Sequence, residues 1–179
     1  MIATESNAVA ASAVPKPSPL KALGLLLGAV LLVAGYLVLC GTLGNSEFYA
    51  GFLFLLCWAA LEQGKLARLP YAALGAALGL ALGYALHVLT TGSLGATGGY
   101  IFAALLLPVI YCQLMGWLSL VVNFTAMAFL TVVTIPHVQA YGDFRNAALA
   151  LVIGVVYFGL VLGVSERLSA RPKGAIAGS

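Results

Sequence analysis

Side chains able to do chemistry are few in this sequence, and they fall into two groups. Gln113, Ser119, Asn123, Thr125, Thr131 and Thr134 lie inside long apolar runs. Neutral amides and hydroxyls in that setting either tie neighbouring helices together by hydrogen bonds or line a path for a small solute. On the second reading Gln113, Ser119, Asn123 and Thr125 are the pore-lining candidates. The other group is Glu47, His87, His137, Asp143 and Arg145, with Tyr141 nearby, all close to the ends of apolar runs. Together they make a candidate outer vestibule whose histidines titrate as external pH falls. The plainer alternative is interfacial side chains bonded to loops, with Asp143 and Arg145 paired locally at little gain.

Nothing has the spacing of an enzyme. Paired carboxylates, a His/Cys cluster and a phosphate-cradling glycine loop are all missing, so no catalytic residue, metal or cofactor is expected. Cys40, Cys57 and Cys112 each sit in an apolar run and read as small buried hydrophobes rather than a disulfide. Glu62 is the acid most apt to lie near membrane depth, where an ionisable group is a functional candidate. Its neighbours Gln63, Gly64, Lys65 and Arg68 instead suggest an interface, with the carboxylate turned outward and paired.

The elements that must position these groups are set by composition. Of 179 residues, 63% are hydrophobic and 7% charged, and the mean hydropathy is +1.09. A soluble domain needs roughly a quarter of its residues charged to hydrate its surface. Thirteen charged side chains cannot do that here, so the solvent is lipid. The net charge of +3 comes from scattered bases at hydrophobic boundaries, which is a topology signal and excludes a nucleic-acid patch.

A crossing of the roughly 30 Å hydrocarbon core takes about 20 apolar residues. Residues 22–46 supply the first. The second, between Glu47 and Glu62, has only 14 uncharged residues and relies on Tyr49 and Trp58 as anchors. Residues 69–142 hold no Asp, Glu, Lys or Arg and suit three crossings. The glycine-rich loop Thr90–Gly99 and a turn near Gln113–Trp117 divide them into 70–89, 99–115 and 117–136. A sixth runs 146–165. The predicted fold is therefore an all-α membrane protein of about six transmembrane helices at 20–165, between a disordered tail at 1–19 and a basic tail at 166–179. Lys16, Lys21, Lys65, Arg68, Arg167, Arg171 and Lys173 then share one side, against Arg145 on the other, which places both termini in the cytoplasm.

Shifting the chain by 75 residues lays Gly24, Ala29, Leu31, Leu32, Tyr36, Leu39, Gly41 and Leu43 on Gly99, Ala104, Leu106, Leu107, Tyr111, Leu114, Gly116 and Leu118. Ala72, Ala73, Leu74 and Gly79 likewise meet Ala147, Ala148, Leu149 and Gly154. Shared membrane composition is one explanation, and a 3+3 inverted repeat is the other. Inverted repeats are an architecture many transporters use. Gly75, Gly79 and Gly83 recur every four residues and are expected to let another helix approach closely. Gly24/Gly28 and Gly159/Gly163 repeat that spacing.

Ala50-Gly51-Phe52-Leu53, Gln63-Gly64 before a basic residue, Gly99-Tyr100 and Gly142-Asp143 together resemble the YcdZ-like small bacterial inner-membrane proteins. The likeness spans roughly residues 25–165. It implies a six-span protein of the bacterial inner membrane and assigns no residue a role. The expectation from the whole chain is a channel or transporter for a small neutral or weakly charged solute, assembled as a homo-oligomer in the bilayer. The alternative is a non-transporting scaffold or assembly partner.

Overall fold

The computed structural model describes residues 18–92 and 94–169; most of the predicted tails at 1–19 and 166–179 lies outside them. The chain forms α1 (Pro19–Thr42), α2 (Tyr49–Leu61), α3 (Leu69–Thr91), α4 (Gly95–Met115), α5 (Phe124–Val133), α6 (Pro136–Tyr141) and α7 (Phe144–Ser169). There is no strand among the described residues. Proline opens α1, α3 and α6 within the first two positions, where its fixed φ suits the helix and its missing N–H is not needed. A left-handed glycine closes α4. Gly116, at φ 67°, lets the Trp117 N–H reach the Cys112 carbonyl at 2.9 Å. Gly44, at φ 69°, closes α1 in the same way, with the Asn45 N–H on the Cys40 carbonyl at 2.9 Å.

Four helices, α1, α3, α4 and α7, are long and apolar enough to cross a membrane. The other two core helices are not. α2 has 13 residues and α5 has 10, which at about 1.5 Å per residue is roughly 20 and 15 Å. The expected span 117–136 is thus corrected. Residues 116–121 are turns, Leu118 stands at φ 54°, and helix resumes only at Phe124. The reason is local, because the Asn123 Oδ1 accepts the Ala126 N–H at 3.1 Å and starts a new helix there. The expected boundary at 165 also moves, since α7 continues to Ser169.

The packing exchanges halves. α2 lies on α7 and α5 lies on α3, while α2 touches α5 and α3 touches α7. α1 sits outside on α7, and α4 sits outside on α3. Tyr36, Phe54, Trp58, Phe129 and Phe158 are completely buried where these helices meet. Backbones approach closely at two crossings. A Cβ on Gly79 would stand 2.5 Å from the Ala126 carbonyl oxygen and Phe129 Cβ, and one on Gly154 would stand 2.8 Å from the Gly51 Cα. Gly75 faces the Asn123 side chain and Gly83 faces Val133, so the whole stripe Gly75, Gly79, Gly83 seats α5. Gly24 and Gly28 differ: a Cβ on either meets nothing within 4 Å, because α1 stands off from the bundle there.

Candidate functional site

The break between α4 and α5 makes a cleft. Its volume is about 280 Å³, and Glu62, Gln113, Gly116, Ser119 and Asn123 are among the residues lining it. Each side chain is brought there by an element end. Glu62 follows the last turn of α2, Gln113 sits in the last turn of α4, Ser119 rides the turns after Gly116, and Asn123 caps α5. Glu62 Oε2 lies 3.9 Å from Arg68 Nε, the one ion pair among the described residues. The Arg68 guanidinium in turn rests over the Tyr71 ring at 4.9 Å.

Three of the four predicted pore-lining residues therefore share one cavity, at an end of the bundle rather than its centre. Thr125 does not join them; it is buried at 2% exposure and lies outside the cleft lining. Asn123 has both side-chain atoms occupied. Its Nδ2 donates to the Tyr71 carbonyl at 2.8 Å while Oδ1 caps α5, so it shapes the wall and leaves little to offer a solute. Gln113 is the opposite case: its Oε1 is buried with no hydrogen-bond partner. Ser119 is exposed in the cleft.

At the other end two of the expected vestibule residues, Glu47 and Asp143, meet, and the rest make contacts of their own. The Glu47 carboxylate accepts the Asp143 N–H at 3.3 Å. Asp143 does not pair with Arg145. Its carboxylate instead takes the N–H groups of Arg145 and Asn146 at 3.0 and 3.1 Å, capping α7, a stronger use of a charge at a helix start. Arg145 borders an apolar groove between α3 and α7. His87 Nδ1 bonds the Gln139 carbonyl at 2.9 Å and its ring meets Phe144, whereas the His137 ring meets Tyr141. The two histidines serve separate local contacts.

Two residues not singled out by sequence matter here. Asn45 is buried; its Oδ1 accepts the Glu47 N–H at 2.8 Å and its Nδ2 donates to the Asn146 carbonyl at 2.7 Å. Gln139 Nε2 donates to the Gly83 and Val133 carbonyls at 3.1 and 2.6 Å, and its Oε1 is buried without a partner. The Gly44-Asn45-Ser46 stretch carries a turn signal that points to Asn45; nothing in the sequence marks Gln139.

Compared with protein-family models, curated proteins and solved structures, the chain matches none. The site must speak for itself. Cys40 and Cys57 are buried free thiols and Cys112 is half-buried and free. No cluster of metal-ligating side chains exists among the described residues.

Proposed function

We propose that this is a six-crossing integral membrane protein of the bacterial inner membrane, built as a 3+3 inverted repeat, that moves a small neutral or weakly charged solute. One observation carries the reading. The two short core helices, α2 and α5, begin 75 residues apart, at Tyr49 and Phe124, and so do the long helices that follow, at Leu69 and Phe144. An asparagine ahead of each short helix gives its Nδ2 to the carbonyl of the third residue of the other half's long helix: Asn45, in the loop before α2, to Asn146 of α7, and Asn123, the cap of α5, to Tyr71 of α3. Interrupted helices at matching places in two halves are where transporters put their binding sites. With the turns that flank each short helix completing a crossing, three crossings per half turn the halves over, and both termini then face the cytoplasm.

The buried aromatic residues close the middle of the bundle, while the cleft opens one end. That favours a carrier that exposes its site to one side at a time over a standing pore. A scaffold reading draws instead on the bare outer faces of α1 and α4, where Leu20, Leu31, Tyr100 and Leu107 are largely exposed; copies of the chain or other proteins would cover them. Kinship with the YcdZ group belongs to the same proposal. Ala50-Gly51, part of that likeness, is the stretch of α2 buried against α7.

Flux into proteoliposomes is the test. Wild-type protein should carry a small amide, amine or acid with saturation, and Gln113→Leu should reduce the rate about fivefold or more. Equal rates in the two would remove the cleft from the path. Correctly inserted protein that carries none of the three classes would leave the scaffold.

A further inference from the structure

We propose that the cleft binds a small neutral solute of the amide or urea class, with Glu62, Gln113 and Ser119 as its ligands. As the identity of a transported solute this rests on the transport reading; as a binding site it stands alone. Four features of the cleft argue for it.

Charge comes first. Glu62 would by itself attract a cation, but Arg68 stands 3.9 Å from its carboxylate and Lys65 lies in the same turn of chain. Those bases stand outside the cleft lining and offset the carboxylate's pull on a cation, while an anion entering meets the carboxylate itself. A neutral guest meets neither penalty.

Hydrogen-bonding capacity narrows the class. The carboxylate accepts, the glutamine amide offers donors and an acceptor, and the serine hydroxyl does both. A guest with N–H groups beside a carbonyl uses all of these, which an alcohol or hydrocarbon cannot. A site built this way also rejects guests that leave its polar groups unpaired.

Gln113 is the third feature. A buried carbonyl oxygen without a donor costs about 1–3 kcal/mol, and such orphans call for an explanation. The terminal torsion of glutamine has a broad, roughly two-fold profile, so a small turn carries Oε1 from its unpaired position to the cleft it already borders. An incoming N–H would supply the missing donor.

The last feature is the backbone. Residues 116–123 are not helical, so their backbone leaves room at this end of the bundle that a continuous helix would fill. At about 30 Å³ per water, 280 Å³ holds a small solute with a few waters.

Three guests of nearly one shape separate the alternatives: acetamide, acetate and ethylammonium. Saturation-transfer NMR on the full chain in detergent should give binding for acetamide, displaced by urea. Gln113→Leu and Ser119→Ala should each weaken it about fivefold or more, the ratio expected for one lost hydrogen bond, while circular dichroism reports an unchanged helix content. Arg68→Ala, at an exposed position, should raise ethylammonium relative to acetamide because the carboxylate is then unbalanced. Preference of the wild-type protein for ethylammonium or acetate overturns the solute class. Acetamide binding or flux indifferent to both Gln113→Leu and Ser119→Ala overturns the site and leaves transport standing. Binding with the expected variant losses but with no flux of any guest keeps the site and discards transport.

Discussion

Asn45 and Asn123 each tie a loop to the other half's long helix at opposite ends of the bundle, but only Asn123 caps a helix. Each substitution loses a bond to a backbone carbonyl and a side-chain acceptor, which at Asn123 caps α5 and at Asn45 holds the Glu47 N–H in the loop before α2. For Asn45→Ala and Asn123→Ala we expect about 1–3 kcal/mol of destabilisation, read as a lowered Tm in detergent. Tyr36→Phe is a related case, because its hydroxyl bonds the Phe48 and Ala150 carbonyls at 3.0 and 3.2 Å. About 1–3 kcal/mol should be lost there too, since both carbonyls sit in a dry core. Arg68→Ala should change stability by under about 1 kcal/mol, as exposed pairs do. Glu62 with its basic partner was legible from neighbouring residue types. Asn123 was legible as polar within an apolar run but not as a cap, because no glycine, proline or charge marks the break beside it.

Helix crossings set the next scale. A side chain at Gly79 must push against the Ala126 carbonyl and Phe129 Cβ, both at 2.5 Å. Gly79→Val should therefore part α3 from α5 and cost about 1–3 kcal/mol or more. Gly24→Val, with nothing within 4 Å, should leave the unfolding midpoint where it was; a chemical-denaturation pair on the two variants checks both. The glycine stripe of α3 was readable because small residues every four positions have one main use in lipid. The same spacing in α1 misleads, since a pattern on one helix cannot say whether a partner is there to fill it. The ten-residue length of α5 was hidden for a related reason. Ser119 to Val122 remain hydrophobic enough to continue a span, and only the left-handed turns at Gly116 and Leu118 deny it.

For the whole molecule, orientation is the measurable quantity. Reporters inserted after Ser46 and Gly142 should lie outside the cell, and those after Gln63 and Ser179 inside. Opposite locations for Gln63 and Ser179 would break the six-crossing reading, whatever the solute. The 75-residue offset was visible as matched Gly, Ala and Leu positions, and in the fold it recurs in the starts of α2 and α5 and of α3 and α7. What the residues could not supply was the exchange of partners, in which each half's outer helix leans on the other half's long one. That arrangement depends on distances across the bundle, which no local pattern encodes.

The outlying position of α1 has a consequence for how the chain is made. Its main neighbour, α7, is made long after it, so until then the first helix has little beyond the contact of Tyr36 with Phe48 and Gly51 to hold it. Its mean hydropathy of 2.6, equal to that of α7 and above the 1.8 and 1.7 for the spans of α3 and α4, suits it to wait in the bilayer. A nascent chain arrested before Phe144 should already hold that segment firmly in the membrane, yet remain open to proteases until its late partner arrives.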